Sequence, residues 1–141
     1  MKIIPHTYNP FQKPVEALLV LLFGGVVYYG METLLRGWSH WSMALCGAVC
    51  FYALYRINER YPRVSLPFRA LMGALFITAV ELLAGCLLNL GLGLAVWDYS
   101  KMPYHFLGQI CLPYSILWFL LCFPAAGISR FIRRRIFLCH A

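Results

Sequence analysis

Residues 102–129, MPYHFLGQICLPYSILWFLLCFPAAGIS, contain no Asp, Glu, Lys or Arg. A helix needs about 20 mostly apolar residues to cross the hydrocarbon core of a bilayer, so this stretch predicts a transmembrane helix. Three further stretches that carry at most one acid each precede it: residues 17–35, 38–55 and 70–90. The sequence therefore predicts four membrane spans.

The composition agrees with this interpretation. Of the 141 residues, 62% are apolar and only 12% are charged, whereas about a quarter of a soluble globular domain is charged. We predict an all-α integral membrane protein that forms a single transmembrane domain over residues 1–141, with no separate soluble domain. The predicted spans cover about residues 15–36, 39–57, 67–92 and 104–128.

The basic residues predict the orientation, because short loops rich in Lys and Arg are retained in the cytoplasm. The two termini and the central loop contain Lys2, Lys13, Arg56, Arg60, Arg63, Arg69, Arg130, Arg133, Arg134 and Arg135. The opposite side has only Arg36 and Lys101. We expect a multi-pass protein of the cell (plasma) membrane with both termini in the cytoplasm. The outer loops would carry an interfacial aromatic belt, made of Trp38, Trp41, Trp97, Tyr99 and Tyr104.

The chain also matches itself at two offsets. At an offset of 49, Glu32 aligns with Glu81 and Gly24 with Gly73; at an offset of 61, Ser39 aligns with Ser100 and Gly47 with Gly108. This internal repeat predicts two tandem helical hairpins related by a pseudo-two-fold axis along the membrane normal. The alternative is coincidence, since apolar segments share Gly and Leu readily.

Small residues on the first and third predicted helices form a second pattern. They are Gly24, Gly25, Gly30, Gly73, Ala74 and Ala79. Membrane helices approach one another most closely where they carry small residues. We therefore expect helices one and three to pack together.

Glu81 is the main functional candidate. About eleven residues separate it from the predicted cytoplasmic edge near Arg69, a rise of about 16 Å along a helix, which places it well inside the membrane. Ionisable groups at such depth usually face the protein interior or water, so a functional role is the default hypothesis for them. Gly85 and Asn89 follow on the same helical face, so the three residues predict a polar stripe that lines a pocket open to the outer side. The alternative is that Glu81 only ties helices together through hydrogen bonds.

Glu32 lies nearer the outer boundary and has Arg36 four residues after it, the favourable order for an ion pair within a helix. A purely structural role is therefore more plausible for Glu32 than for Glu81. A further hypothesis is that Arg36 reaches both acids in a Glu-Arg-Glu cluster.

The loop before the fourth span supplies the remaining ligand-binding candidates, Trp97, Asp98, Tyr99 and His105. His105 is able to titrate near neutral pH, although a single interfacial His is more often an ordinary hydrogen-bonding residue. Farther along, Pro113 and Pro124 lack a backbone N–H and are predicted to kink or end the fourth helix.

Metal and cofactor sites are not predicted. Most of the six cysteines lie in the apolar spans, where Cys behaves as a small apolar residue; Cys46 and Cys50, one helical turn apart, favour packing over metal binding. The chain has no Gly-x-Ser-x-Gly, no His-Glu-x-x-His and no P-loop, so an ATP-driven role would need a separate motor subunit. The Arg133–Arg135 run favours an anionic-lipid anchor over nucleic-acid binding.

Residues 28–118 resemble the putative ABC-transporter type IV membrane family. The shared pattern consists of Glu81-Leu-Leu-Ala-Gly85, Asn89, Trp97-Asp-Tyr-Ser100, Pro103, Gly108-Gln-Ile110, Leu112 and Trp118. An Asn is usual in that family where this chain has His105, which leaves any role of that amide unsupported here. The resemblance implies a transport-associated membrane component.

Three classes of function follow. The first is a permease-like or substrate-binding membrane subunit with an outward-facing polar pocket around Glu81. The second is a membrane-embedded enzyme acting on a lipid or prenyl substrate, with Glu81, Asp98 and His105 as acid–base groups. The third is a structural or sensor membrane protein. We favour the first, with the lipid bilayer, a second copy or a separate transporter subunit, and an unidentified small-molecule or lipid ligand as partners, and no nucleic acid.

Overall fold

The computed structural model describes residues 12–137 and consists mainly of helices. The α-helices are α1 (Gln12–Arg36), α2 (Trp41–Arg60), α3 (Leu66–Gly85) and α4 (Leu112–Ile132). One π-helical turn continues α3 over Cys86–Gly91 and another continues α4 over Arg133–Phe137. Two-residue strands, β1 (His105–Phe106) and β2 (Ile110–Cys111), pair antiparallel before α4. The prediction of an essentially helical protein is confirmed.

Three helical stretches are long and apolar enough to cross a membrane. They are Lys13–Arg36, Leu66–Gly91 and Leu112–Phe137. Large apolar side chains stay exposed on these helices, for example on Val26 and Leu75, as expected for surfaces that face lipid. These features identify a membrane protein.

The helix α2 is not among these three stretches. It combines an apolar middle with the polar end Arg56-Ile-Asn-Glu-Arg60, and it contacts each of the other three helices. The remaining extensive contacts are between α3 and α4. The α-helix that is not long and apolar enough to count as a candidate span is thus the one that packs against the three others.

Glycines determine how closely α1 approaches α2. A Cβ atom on Gly24 would lie 2.5 Å from Phe51 Cβ and 3.0 Å from the Gly47 carbonyl oxygen, and one on Gly25 would lie 2.9 Å from the Ala44 carbonyl oxygen. All of these neighbours belong to α2. The prediction that Gly24 and Gly25 pack helix one against helix three was therefore wrong.

The same correction applies to the other glycines of that pattern. On α3, Gly73 faces Leu54 of α2 and Cys122 of α4, while a Cβ atom added to Gly30 would have no neighbour within 4 Å. Small residues do permit close packing here. A pattern of small residues within one helix predicts close packing but does not specify the neighbouring helix. That neighbour depends on how all the helices are arranged.

The fourth helix begins later than the sequence predicts. Residues 104–111 form a tight β-hairpin, and the helix starts at Leu112. Leu107 and Gly108 at the tip have φ values of 52° and 67°, which is typical of a type I′ turn. Pro113 therefore lies in the first turn of α4, where a missing N–H costs nothing; only Pro124 lies inside the helix.

Candidate functional site

Glu81 lies near the end of α3 and is half-buried. Its Oε1 accepts a hydrogen bond of 2.8 Å from the Tyr99 hydroxyl, and its Oε2 accepts one of 3.2 Å from Trp118 Nε1. Tyr99 belongs to the loop that follows α3, and Trp118 to α4. The carboxylate thus joins the loop and α4 to α3.

Stacked aromatic rings position the two donors. Tyr99 stacks on Tyr114 at a centroid distance of 4.7 Å and an interplanar angle of 17°. Tyr114 lies one helical turn before Trp118, at 6.4 Å between rings, and Tyr28 of α1 lies 6.1 Å from Trp118. These are distances at which aromatic pairs attract each other. We call Tyr28, Tyr99, Tyr114 and Trp118 the aromatic cluster.

Burial and the neighbouring Glu81 carboxylate raise the pKa of Tyr99. The phenol therefore stays protonated at neutral pH and keeps its role as a donor to Glu81. The sequence predicts Tyr99 at the lipid interface as part of an aromatic belt, whereas the structure turns it inward. Its contact with Glu81 is the connection that brings the loop to the acid of α3.

Two adjoining cavities border the aromatic cluster. The loop-side cavity, of about 480 Å³, is lined by the aromatic cluster together with Glu32, Arg36, Trp97 and Asp98. The interhelical cavity, of about 330 Å³, includes Glu81 and mainly apolar side chains. Tyr28, Trp97 and Trp118 line both cavities, so the acid lies beside open space and next to a wall of aromatic rings.

Glu32 and Arg36 form the ion pair that their spacing predicts. Arg36 Nη1 lies 2.6 Å from Glu32 Oε1, and Arg36 Nη2 donates to the Val96 carbonyl oxygen at 3.0 Å. Ser39 donates to Glu32 Oε2 at 2.5 Å. Glu81 instead accepts hydrogen bonds from the aromatic cluster, so the hypothesis that Arg36 joins both glutamates in one cluster was wrong.

The predicted polar stripe after Glu81 is filled by Gln109. A Cβ on Gly85 would lie 2.5 Å from Gln109 Oε1, and Asn89 Nδ2 donates to that same oxygen at 2.8 Å. Asn89 Oδ1 accepts from the Val96 N–H at 2.7 Å. Asn89 therefore supports the loop, and a role of its amide in ligand binding stays a prediction.

Gln109 is central to the site, whereas the sequence indicated no role for it beyond its place in the shared family pattern. The residue is 4% exposed, and its side-chain Nε2 donates to the Leu107 carbonyl oxygen at 3.0 Å. The backbone carbonyl oxygen of Gln109 accepts from Trp97 Nε1 at 3.0 Å. Trp97 is consequently buried and does not belong to an interfacial belt. The position of Gln109 could have indicated this role, because it lies in the charge-free residues 102–129. A side-chain amide that is buried there needs hydrogen-bond partners for its polar atoms.

Asp98 and His105 lie on the exposed part of the loop. The Ser100 N–H and hydroxyl donate to Asp98 at 2.8 and 3.0 Å, and the backbone hydrogen bond is the main reason why the pKa of Asp98 is lowered. His105 Nδ1 accepts from the Gly108 N–H at 3.2 Å. Both side chains thus have local partners, and the loop residue that reaches Glu81 is Tyr99.

Within residues 12–137, no group of three or more His, Cys, Asp or Glu side chains is arranged to hold a metal ion. The five cysteines of this part, Cys46, Cys50, Cys86, Cys111 and Cys122, are free thiols. Cys139 lies outside the described residues. The two cavities beside Glu81 are lined by phenols, indoles and thiols, and by the charged residues Glu32, Asp98 and Arg36.

Comparison with known proteins identifies the family. Neither the curated proteins nor the solved structures include one with significant similarity to the chain. A family model described as "Putative ABC-transporter type IV" matches residues 20–137, which include all the residues named around Glu81. The resemblance found in the sequence is confirmed, and together with the three apolar helices it supports a transport-associated membrane protein. The chain belongs to the putative ABC-transporter type IV family.

Proposed function

We propose that all four helices cross the plasma membrane as two tandem hairpins, with both termini in the cytoplasm. The arginines of α3 and α4 and of the turn after α4 support this orientation, because Arg69, Arg130, Arg133 and Arg134 line one cavity at a single end of the helices. Arg36 instead lines the loop-side cavity. Such an asymmetry is what retains one side in the cytoplasm.

The two glutamates support the internal repeat. Glu32 lies near the end of the first helix and accepts a hydrogen bond from the Ser39 hydroxyl, just beyond that helix. Glu81 lies near the end of the third helix and accepts one from the Tyr99 hydroxyl in the loop that follows. Acids in equivalent positions are expected of two copies related by a pseudo-two-fold axis, although the donors differ: the residue that aligns with Ser39 is Ser100, which donates to Asp98.

The function that this site supports best is that of a permease-like or substrate-binding membrane subunit. The loop-side cavity is the entrance, and Glu81 lines the adjoining interhelical cavity, where it is the charged residue. The observation on which the proposal rests is that each Glu81 oxygen accepts one hydrogen bond, while a carboxylate has room for about four. The acid can therefore accept further hydrogen bonds from a ligand.

The chemistry of the walls favours a small organic cation as the ligand. Aromatic faces attract ammonium groups within about 6 Å of the ring centroid, and Glu81 supplies the opposite charge. The guanidinium of Arg36 does not counteract this attraction fully, because it pairs with Glu32 at 2.6 Å. A second copy or a separate transporter subunit would complete the transport path.

The test is a binding titration on the purified protein in neutral detergent. Benzylamine and its neutral analogue benzyl alcohol are titrated while the tryptophan fluorescence of the protein is followed, to which Trp97 and Trp118 beside the cavities contribute. We expect saturable quenching by benzylamine only, and a dissociation constant raised about tenfold or more in Glu81→Gln, since a lost charged hydrogen bond has about this effect. The control is Glu59→Gln, which removes an acid at the opposite end.

Two results would contradict the proposal. One is equal binding of benzylamine to the wild type and Glu81→Gln. The other is the absence of saturable binding by either compound. In both cases a structural role of Glu81 becomes the better explanation. This second candidate function is supported by the two hydrogen bonds that Glu81 accepts from Tyr99 and Trp118.

The alternative of an enzyme acting on a lipid or prenyl substrate receives less support. It required Asp98 and His105 to act together with Glu81. Those two side chains bond to Ser100 and Gly108, and Glu81 accepts from two aromatic donors. The arrangement fits binding better than acid–base catalysis.

A further inference from the structure

A third cavity lies at the end of the helices opposite the loop-side cavity. It has a volume of about 430 Å³ and lies between the end of α2, the start of α3 and the end of α4. Four of its lining residues are arginines, and the others include two neutral polar residues and one acid. We call it the arginine cavity; its polar lining includes Arg69, Arg130, Arg133, Arg134, Asn58 and Ser129.

Arg69 is the buried centre of this cavity. Its side chain is only 8% exposed, and its Nη1 donates to Asn58 Oδ1 at 2.8 Å. Asn58 is itself fixed, because its Nδ2 donates to the Leu54 carbonyl oxygen at 2.8 Å. The guanidinium is thus held in place by a neutral amide, without a carboxylate among its hydrogen-bond partners in residues 12–137.

One donor of that guanidinium is left unsatisfied by the described residues. Arg69 Nε is buried and makes no hydrogen bond to any of them. A buried cation with an unsatisfied donor is costly, and the hydrogen-bond partner of Arg69 among the described residues is the neutral amide of Asn58. An anion in the cavity would remove this cost.

The charges of the cavity are also unbalanced. Within the described part of the chain, Glu59 is its only acidic lining residue, against four arginines. Glu59 Oε1 lies 2.6 Å from Arg133 Nη1, and Glu59 Oε2 lies 2.8 Å from Arg56 Nη1. Each oxygen of this acid thus already has one arginine partner, and among the described residues the cavity lining holds no second carboxylate to balance the charges of Arg69, Arg130 and Arg134.

We propose that the arginine cavity is a binding site for a phosphate group, with Arg69 as the buried ligand and Arg130 and Arg134 as ligands at the rim. The planar guanidinium fork matches the oxygens of phosphate. A volume of about 430 Å³ leaves room for more than the phosphate itself. The group comes either from an anionic lipid, whose headgroup lies at this depth beside membrane helices, or from a free phosphate compound.

Two binding arms distinguish these sources. In the first, sodium phosphate is titrated calorimetrically into the protein in neutral detergent and phosphate-free buffer, with sodium chloride at equal ionic strength as the reference. In the second, the protein is placed in nanodiscs that contain phosphatidic acid, and lipid retained after delipidation is counted by native mass spectrometry. Saturable binding in the first arm identifies a free phosphate compound as the source, and one retained lipid in the second arm alone identifies a lipid.

Three variants test the residues. Arg69→Gln should raise the dissociation constant, or lower the retained lipid, about 10- to 100-fold, as expected for the loss of charged hydrogen bonds. Arg130→Gln, at the exposed rim, should have an effect of about threefold or more. The matched control is Arg135→Gln, which removes the same charge from the same basic run at a position that does not line the cavity.

The control decides between a built site and general attraction to basic residues. Equal weakening by Arg130→Gln and Arg135→Gln would overturn the proposal, and so would the absence of saturable binding in both arms. If Arg69→Gln fails to fold, the comparison of Arg130→Gln with Arg135→Gln still decides, because both side chains are exposed. None of these outcomes depends on whether Glu81 binds a ligand.

Discussion

Replacing Glu81 by Gln or by Leu should separate the hydrogen bonds of this residue from its charge. Glu81 accepts one hydrogen bond from Tyr99 at 2.8 Å and one from Trp118 at 3.2 Å. Glu81→Leu leaves both donors without this acceptor, at a cost of about 1–3 kcal/mol for each donor. Since both donors border a cavity that water can enter, we expect the lower part of that range, about 2–4 kcal/mol in total.

Glu81→Gln should preserve both contacts through one orientation of the amide. An indole N–H only donates, so Gln Oε1 must face Trp118; a tyrosine hydroxyl both donates and accepts, so Gln Nε2 can donate to Tyr99. The expected loss of stability is about 1 kcal/mol or less, because each contact then lacks a charged partner but survives.

Thermal unfolding followed by size-exclusion chromatography of the detergent-solubilised protein measures this difference. We expect the midpoint to fall by about 6–12 °C in Glu81→Leu and by less than about 3 °C in Glu81→Gln, at about 3 °C per kcal/mol. Tyr99→Phe and Trp118→Phe each remove one donor and should give intermediate values. Equal midpoints for the Leu and Gln variants would refute the reasoning.

Two further predictions concern packing and pH. Gly47→Ala should strongly lower the unfolding midpoint in the same assay, because the new Cβ would overlap the side chain of Tyr28. The control is Gly127→Ala, whose Cβ would have no neighbour within 4 Å and which should leave the midpoint unchanged or slightly higher. Equal effects of the two substitutions would contradict the close packing of α1 on α2. The lowered pKa of Asp98, caused first by its hydrogen bond from the Ser100 N–H, means that its contribution to stability is present above the ordinary Asp pKa and is lost as the pH falls through the lowered value. The midpoint of the wild type should therefore decline more on acidification below about pH 4 than that of Asp98→Asn, and parallel pH profiles would disprove this.

Much of the candidate site was accessible from the sequence as a set of residues but not as a set of contacts. The sequence indicates Glu81, Tyr99, Glu32 and Arg36 as candidates, and the Glu32–Arg36 pair forms as their helical spacing predicts. The partner of Glu81 could not be derived, because Tyr99 lies in an irregular loop whose path no periodic pattern specifies. The contacts of Gln109, which the sequence indicated only as part of the family pattern, could not be derived for the same reason.

The sequence by itself determined that this is a helical membrane protein. Charge-free apolar stretches partition into lipid, where a helix satisfies all backbone hydrogen bonds within one segment. The sequence also determined that one end of the helices is basic. Only the tertiary structure decided that Gly24 faces α2, that Gln109 fills the stripe beyond Glu81 and that Arg69 is buried with an amide as its hydrogen-bond partner. These contacts join residues far apart in the chain, and their free energies depend on how side chains fit across helices, which the order of residues within one helix does not encode.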